Sequence, residues 1–378
     1  MRIGIEISSL LSRRKTGIGW YTYYLIKNLI EVDKENEYVL FGYSIGNYRE
    51  KFNLKGDFNG KNLNISLKFL PGKLMLSIHT FFPVEFLHGR FDVLHITLHP
   101  YSVFNIFGKQ IVTIHDLIPI IRSNLNTSSF ESQLFKLAIT RTVQRVDRII
   151  AVSESTKRDL IEYLGVKAEK IDVIYEGVDE IFRVIEDREK IEGVKRRYGI
   201  SKRYILTVGT IEPKKNHIRL LNVFKSIKEK REDYQLVICG KYGWKTERFL
   251  ERLRSLPDFI RKDIIITEYI RYEDLPLLYN GCDIFIYPSL YEGFGLPVVE
   301  AMRCGVPVIT SNISSMPEVA GDAAILVNPE DEEEIGNAII RLTEDRELRE
   351  KLKKRGLERS KMFSWEKTAI ETLKVYKE

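Results

Sequence analysis

The stretch Ile284-Phe-Ile-Tyr-Pro-Ser-Leu-Tyr-Glu-Gly-Phe-Gly-Leu-Pro-Val-Val-Glu-Ala-Met-Arg303 decides the fold. Ile284 to Tyr287 are apolar, β-branched or aromatic and read as a short buried strand, whereas Pro297 onward reads as a helix with proline in its first turn. Glu292 then lies in the strand-to-helix loop, and Glu300 about one turn inside the helix. Gly293 and Gly295 let the backbone turn tightly, so that amide N–H groups near the helix start point at an anion.

The same alternation of strand-like runs and helical patterns continues in both directions, the signature of parallel sheets covered on both faces. In the first half, residues 2–8, 38–43, 65–70, 92–97, 110–116, 148–153 and 172–175 read as strands. In the second half, residues 204–209, 234–240, 263–269, 284–288, 307–311 and 323–327 do. A chain of 378 residues is too long for one typical core and suits two doubly wound α/β domains with a cleft between them. Ligands of such sheets sit at the carboxyl ends of the strands. The charged segment Glu180 to Gly199 lacks a strand pattern and reads as the linker. That divides the chain into residues 1–179 and 180–363, followed by a segment with Trp365, Ala369, Leu373 and Tyr376 at roughly helical spacing.

No apolar run approaches the length of a membrane span, and Met1-Arg-Ile-Gly-Ile-Glu-Ile begins a strand directly, so no secretory signal is expected. Cys239, Cys282 and Cys304 have apolar neighbours and no metal-ligand spacing, as befits reduced core residues of a cytoplasmic protein. The net charge of +6 is uneven: residues 1–178 hold 23 Lys and Arg against 18 Asp and Glu, and the remainder 36 against 35. A basic first half suits anionic lipid or a phosphorylated acceptor, and no recognised motif favours nucleic acid.

Several residues are candidates for chemistry. Carboxylates such as Glu292 and Glu300, held on either side of a diphosphate, suit the two sugars of a nucleotide-sugar. From spacing alone, a solvated Glu292 and a helix-surface Glu300 fit equally well, because paired acids are common on surfaces. Thr16-Gly-Ile-Gly follows the first strand and opens a helix; it lacks the third glycine of a dinucleotide fingerprint, yet Gly17 and Gly19 still allow close approach to a diphosphate or acceptor. Lys214 and Lys215 place two compact cations on a loop suited to phosphate oxygens. His115-Asp116 ends a strand, where the histidine lines an acceptor pocket or the two residues order the loop. Ser315 with Glu318 fits a capping box. No two aspartates are separated by a single residue, which removes the usual carboxylate metal clamp, so charge on a leaving diphosphate falls to lysines and helix N-termini. The remaining histidines, among them His79, His95, His99 and His217, show no metal-site pattern.

The segment Pro288 to Glu300 resembles the motif of glycosyltransferase family 4, in which seven residues separate two glutamates. Ile205-Leu-Thr-Val-Gly-Thr-Ile-Glu-Pro-Lys-Lys-Asn-His217 resembles the family's phosphate-binding loop. Gly305 to Gly321, Phe363-Ser-Trp-Glu-Lys-Thr368, Thr16-Gly-Ile-Gly19, His115-Asp-Leu-Ile-Pro119 and Tyr175-Glu-Gly-Val-Asp179 extend the likeness over essentially the whole chain. It is specific as a set, and the branch most resembled contains mannosyltransferases of cell-surface polysaccharide assembly.

The resemblance implies a GT-B fold of two facing Rossmann-like domains, the first binding acceptor and the second the donor, with the final helix 364–378 crossing back onto the first. It implies a retaining, metal-independent transfer of a hexose, by expectation mannose from GDP-mannose, to a glycan or lipid-linked oligosaccharide, with no cofactor. Gly17 and Gly19 would border the donor phosphate, and the lysine pair would neutralise it. An arginine is common at the first position of that pair, which makes Lys214 the less certain match. Glu292 would bind the hexose, Glu300 the ribose, and the amides of Gly293, Phe294, Gly295 and Leu296 the sugar and phosphate. Ile270 is a base contact by position only. His115, Asp116, Arg13 and Arg14 fall to the acceptor. Arg13, Arg14 and Lys15 with the aromatic residues Trp20, Tyr21, Tyr23 and Tyr24 suit phosphate headgroups and sugar faces, and the apolar segment Leu74 to Leu87 reads either as a core helix packed on the first sheet or as a segment along an anionic membrane. A UDP- or dTDP-sugar donor, a sugar-nucleotide epimerase and a noncatalytic partner in a glycan-assembly complex are the alternatives.

Overall fold

The computed structural model describes residues 1–11, 17–44, 58, 62–69, 83–97, 106–122, 125 and 129–378. They form two compact units, Met1–Gly177 with Ser364–Glu378, and Val178–Phe363. The first unit holds strands β1 (Arg2–Glu6), β2 (Glu37–Ser44), β3 (Leu63–Phe69), β4 (Val93–Ile96), β5 (Lys109–Ile114), β6 (Arg148–Ala151) and β7 (Ile171–Val173). The second holds β8 (Arg203–Val208), β9 (Tyr234–Cys239), β10 (Ile264–Ile266), β11 (Ile284–Tyr287), β12 (Val308–Ser311) and β13 (Ala324–Val327). Their spatial orders are β3-β2-β1-β4-β5-β6-β7 and β10-β9-β8-β11-β12-β13.

Among the described residues all strand pairings are parallel. A parallel sheet needs helical crossovers and is covered on both faces, which is why its strands read as continuous apolar runs rather than alternating ones. In each sheet the chain starts near the middle, winds outward, and returns to wind the other way. The reversals fall between β1 and β4 and between β8 and β11, and there the loops at the carboxyl ends part to leave a crevice.

Five more elements matter to the argument: helices α1 (Gly17–Val32), α2 (Arg188–Arg197), α3 (His217–Lys230), α4 (Leu275–Gly281) and α5 (Leu296–Arg303). Leu220, Leu221 and Phe224 of α3 bury against Leu236, Ile238, Ile284 and Ile286 of the second sheet. A sixth helix, α6 (Trp365–Lys377), belongs to the first unit. Its Trp365 stacks on Tyr24 with centroids 5.5 Å apart, and its Tyr376 hydroxyl lies 2.6 Å from His95 Nδ1.

Two sequence expectations are corrected. The segment Glu180 to Gly199 is no plain linker, because α2 lies within it as part of the second unit. Asp187 caps that helix, and Arg197 and Tyr198 both bond to the buried Asp274 carboxylate at 2.7 and 2.9 Å. The charges occupy its exposed positions and mask an apolar period formed by half-buried Ile191, buried Val194 and half-buried Tyr198. The aromatic group of α1 serves the core in part: Tyr21 and Tyr24 are buried, whereas Tyr23 and Trp20, the latter stacked on Tyr24 at 5.7 Å, are half-buried.

Candidate active site

β8 and β11 are neighbours, with Ile284 opposite Ile205, so the loops leaving them meet at the switch point of the second sheet. The β8 loop makes a single 3-10 turn, Pro213–Lys215, and then places Asn216 in the left-handed region at φ 62° before α3 begins. Asparagine tolerates that conformation better than most residues. Its side-chain amide donates to the carbonyls of Pro288 at 3.0 Å and Pro329 at 2.6 Å, while the Leu290 amide donates to Lys214 O at 2.8 Å. The two loops are thereby joined.

At their junction Lys215 Nζ donates to Glu292 Oε1 at 2.6 Å and also to the Tyr287 hydroxyl. The side chains of Lys215 and Glu292 are only 12% and 8% exposed, so each charge depends on the other. Burial opposes ionisation of Glu292, yet the Lys215 and Lys214 charges outweigh it and hold its pKa below the usual carboxylate value. Lys214 itself stands 3.7 Å from Glu212.

The Glu292 loop is held from below by a serine pair. The Glu292 amide donates to Ser314 Oγ at 3.0 Å, and the Ser315 hydroxyl reaches the carbonyls of Glu292 at 3.0 Å and Phe294 at 2.9 Å. Ser315 therefore does not form the expected capping box; its own backbone is helical and its side chain makes no cap bond. Gly295 precedes α5 with φ 103°, where a Cβ would stand 2.2 Å from Met316 Cε. Only glycine fits there; beyond it Pro297 carries no N–H and the Val298 amide donates to Gly295 O at 3.0 Å, so of the first three residues of α5 only Leu296 offers an amide outside these bonds. One turn into α5, Glu300 Oε2 accepts from the Tyr279 hydroxyl of α4 at 2.8 Å. Desolvation pushes the Glu300 carboxyl up to about 7, against the Tyr279 hydrogen bond and with help from the Asp179 charge.

The remaining candidates lie on other elements. Ile270 is half-buried in the loop after β10. In the first unit, Gly17 opens α1 and Gly19 is buried within it, while Arg13, Arg14 and Lys15 lie outside the described residues. Of segment 74–87 only residues 83–87 are described; there Val84 is buried and Phe86 is 75% exposed. His79 and His99 also lie outside the described residues.

His115 follows β5 and is buried. Its Nε2 faces the Thr97 carbonyl at 3.1 Å, and its Nδ1 faces the Glu176 carboxylate at 3.4 Å. A carbonyl oxygen only accepts, so Nε2 carries the hydrogen. Asp116 Oδ1 accepts from the Ile118 amide at 3.1 Å, ordering the turn into the next helix. Among the described residues no cluster of His, Cys, Asp and Glu is arranged to hold a metal ion.

Asn216, Tyr279, Tyr287, Ser314 and Ser315 were not anticipated from the sequence. Asn216 alone carried a local signal, an asparagine between a turn and a helix start. The others enter through contacts 21 to 23 residues apart, or 72 for Tyr287 with Lys215, which only the strand order brings together.

A buried lysine–carboxylate pair beside a glycine-started helix, at the crevice of a doubly wound sheet, can bind a phosphorylated sugar: cation and amides to phosphate, carboxylates to hydroxyls. A family model described as Glycosyl transferases group 1 matches residues 190–359, and one described as Glycosyltransferase Family 4 matches residues 16–181. The O-antigen chain mannosyltransferase B of Escherichia coli is 30% identical over 376 residues, covering 96% of each chain. The serotype-specific mannosyltransferase WbdA of Escherichia coli is 32% identical over 288 residues, which span 76% of this chain but only 35% of WbdA. The chain thus matches about a third of the length of such relatives. Sucrose-phosphate synthase from Thermosynechococcus elongatus superposes with a TM-score of 0.78 at 19% identity, covering 100% of this chain and 98% of that one. Anabaena Alr3699/HepE in complex with UDP and glucose does so at 0.77 and 16%, covering 100% and 99%. The protein belongs to glycosyltransferase family 4, and its two α/β units have the GT-B fold.

Proposed function

We propose that the protein is a retaining mannosyltransferase that moves mannose from GDP-mannose to a hydroxyl of a glycan or lipid-linked oligosaccharide in cell-surface polysaccharide assembly. The observation that carries this reading is the buried Lys215–Glu292 pair at the switch point between β8 and β11. The named relatives support the sugar: one is a serotype-specific mannosyltransferase and the other an O-antigen chain mannosyltransferase.

In this reading Lys215, Lys214 and the amides of Phe294 to Leu296 at the start of α5 receive the diphosphate. Glu292, ionised by its lysine neighbours, accepts hydrogen bonds from mannose hydroxyls, and Glu300 accepts from the ribose. The anomeric C–O bond to the diphosphate breaks as the acceptor oxygen bonds to the same face of the anomeric carbon. The acceptor proton passes to the departing phosphate oxygen, and the electron pair of the broken bond stays on the diphosphate. Stabilising that developing charge requires only cations and aligned amides, so no metal step is invoked. Gly17 and Gly19 border the donor phosphate in this reading, and His115 and Asp116 serve the acceptor side; because both His115 nitrogens face protein atoms, its part is to order the loop.

Enzyme, GDP-mannose and a mannose-terminated acceptor, followed by NMR of the anomeric proton, test the reaction. An α-linked product from the α-linked donor is expected, and a β-linked product would overturn retention. The excess of positive charge in residues 1–178 favours peripheral work at the inner face of an anionic membrane. Salt-sensitive sedimentation with anionic liposomes is the expected result, and no binding at low salt would remove that part.

A further inference from the structure

Helix α4 packs beside α5 and is tied to the rest of the second unit at several points. The Tyr204 hydroxyl of β8 donates to Leu278 O at 2.6 Å. The Ile185 amide donates to Asn280 Oδ1 at 2.7 Å, and the Asn280 side-chain amide donates to Arg183 O at 2.9 Å. A Cβ on Gly281 would stand 2.7 Å from the Tyr204 hydroxyl oxygen, so the helix end lies this close to β8 only because that residue is glycine.

Tyr279 sits between these ties and is fully buried. Its ring meets Phe182 and Phe285 of β11 edge-on, with centroids 5.8 and 5.3 Å away. A ring enclosed in this way cannot swing, and its hydroxyl has one place to go: Glu300 Oε2, at 2.8 Å. Burial and the carboxylate itself push that hydroxyl well above its ordinary value of 10, so it remains an O–H donor.

Glu300 is half-buried, and of its two oxygens only Oε2 accepts a hydrogen bond from the described residues. Ordering a glutamate side chain costs rotamer entropy, and the tyrosine meets that cost before a ligand arrives. Leu296 and Glu300 are four residues apart on one face of α5, ~6 Å along its axis, which sets the carboxylate one turn beyond the amide at the helix start.

We infer that Tyr279 is a positioning residue for Glu300: its hydroxyl pins one carboxylate oxygen and leaves the other aimed at the ribose diol of the nucleotide. This rests on the reading of Glu300 as the ribose ligand. Tyr279 itself, wholly buried, need not touch the nucleotide.

The test uses the full chain, with GDP, UDP and their 2′,3′-dideoxy analogues as calorimetric probes. The parent should prefer one of the diphosphates to its dideoxy analogue, and Glu300→Ala should remove most of that preference. Tyr279→Phe keeps the ring and its packing and deletes the hydroxyl. It is expected to narrow the preference by roughly three- to tenfold, the scale of one hydrogen bond, with affinity for the dideoxy analogue close to the parent's. On the Glu300→Ala background the same substitution should change the preference no further. A preference that Tyr279→Phe leaves unchanged, whether or not both nucleotides weaken alike, while Glu300→Ala loses it, would overturn the positioning role and leave the ribose reading intact. A preference that survives Glu300→Ala, or a parent that shows none, would overturn both.

Discussion

Lys215 and Glu292 stand 2.6 Å apart with both side chains nearly buried, so the charge of each is met chiefly by the other. Removing one partner of such a buried pair leaves an uncompensated charge, at a cost on the order of 3 kcal/mol. Glu292→Gln is therefore expected to lower the melting temperature as well as turnover, and GDP should narrow the deficit by re-pairing Lys215. Thermal unfolding with and without GDP checks this. The pKa of Glu292 is depressed in the folded protein, so its stabilisation is present above the ordinary value of 4.5 and is lost as pH falls through the lower folded one.

Glu300 runs the other way. Its carboxyl titrates near 7 instead of 4.5, so between those values the folded state holds the extra proton and stability declines as pH rises. An ionised Glu300 is the better acceptor for ribose hydroxyls, so donor KM should fall between pH 6 and pH 8. A KM profile of Glu300→Gln that keeps the same pH limb would remove Glu300 as its source. Lys215→Ala should cost more than Lys214→Ala in kcat/KM, about a hundredfold for the loss of one charge partner in the transition state.

At the scale of elements, the strands were legible because burial on both faces writes them as unbroken apolar runs. Every strand read from the sequence is present, with ends shifted by a few residues where polar caps blur the boundary. Helix α2 was hidden for the opposite reason, since its one buried and two half-buried apolar or aromatic positions are outnumbered by charges. The strand–turn–helix that carries Glu292 and Glu300 was readable from Gly293, Gly295 and Pro297. Its serine support was not, because Ser314 and Ser315 belong to the loop after the neighbouring strand β12. Asn216 tests the joint between loops. Asn216→Gly loses both amide contacts but keeps φ 62°, whereas Asn216→Ala also forces a Cβ into the left-handed region, a further ~1–2 kcal/mol. Chemical denaturation of the two variants should separate those contributions, with alanine the less stable.

For the whole molecule, two parallel sheets followed from alternation alone, but the strand order that brings Lys215 to Glu292 did not. Sequence distance says nothing about which loops share a crevice. GDP-mannose is expected to raise the melting temperature more than UDP-glucose or dTDP-rhamnose, since a ligand stabilises only the state it binds. A larger shift with a uridine or thymidine sugar would reassign the donor. EDTA should leave the transfer rate within about twofold, the scatter of a weak electrostatic contribution, and restoration of a lost activity by a divalent ion would overturn the metal-free account.

The helix α6 has one more consequence. The second unit is a single uninterrupted run, Val178–Phe363, whereas the first is built from Met1–Gly177 and Ser364–Glu378. On the ribosome, the unit begun first is therefore completed last: Tyr21, Tyr24 and His95 wait for Trp365 and Tyr376 while the whole of the other unit emerges.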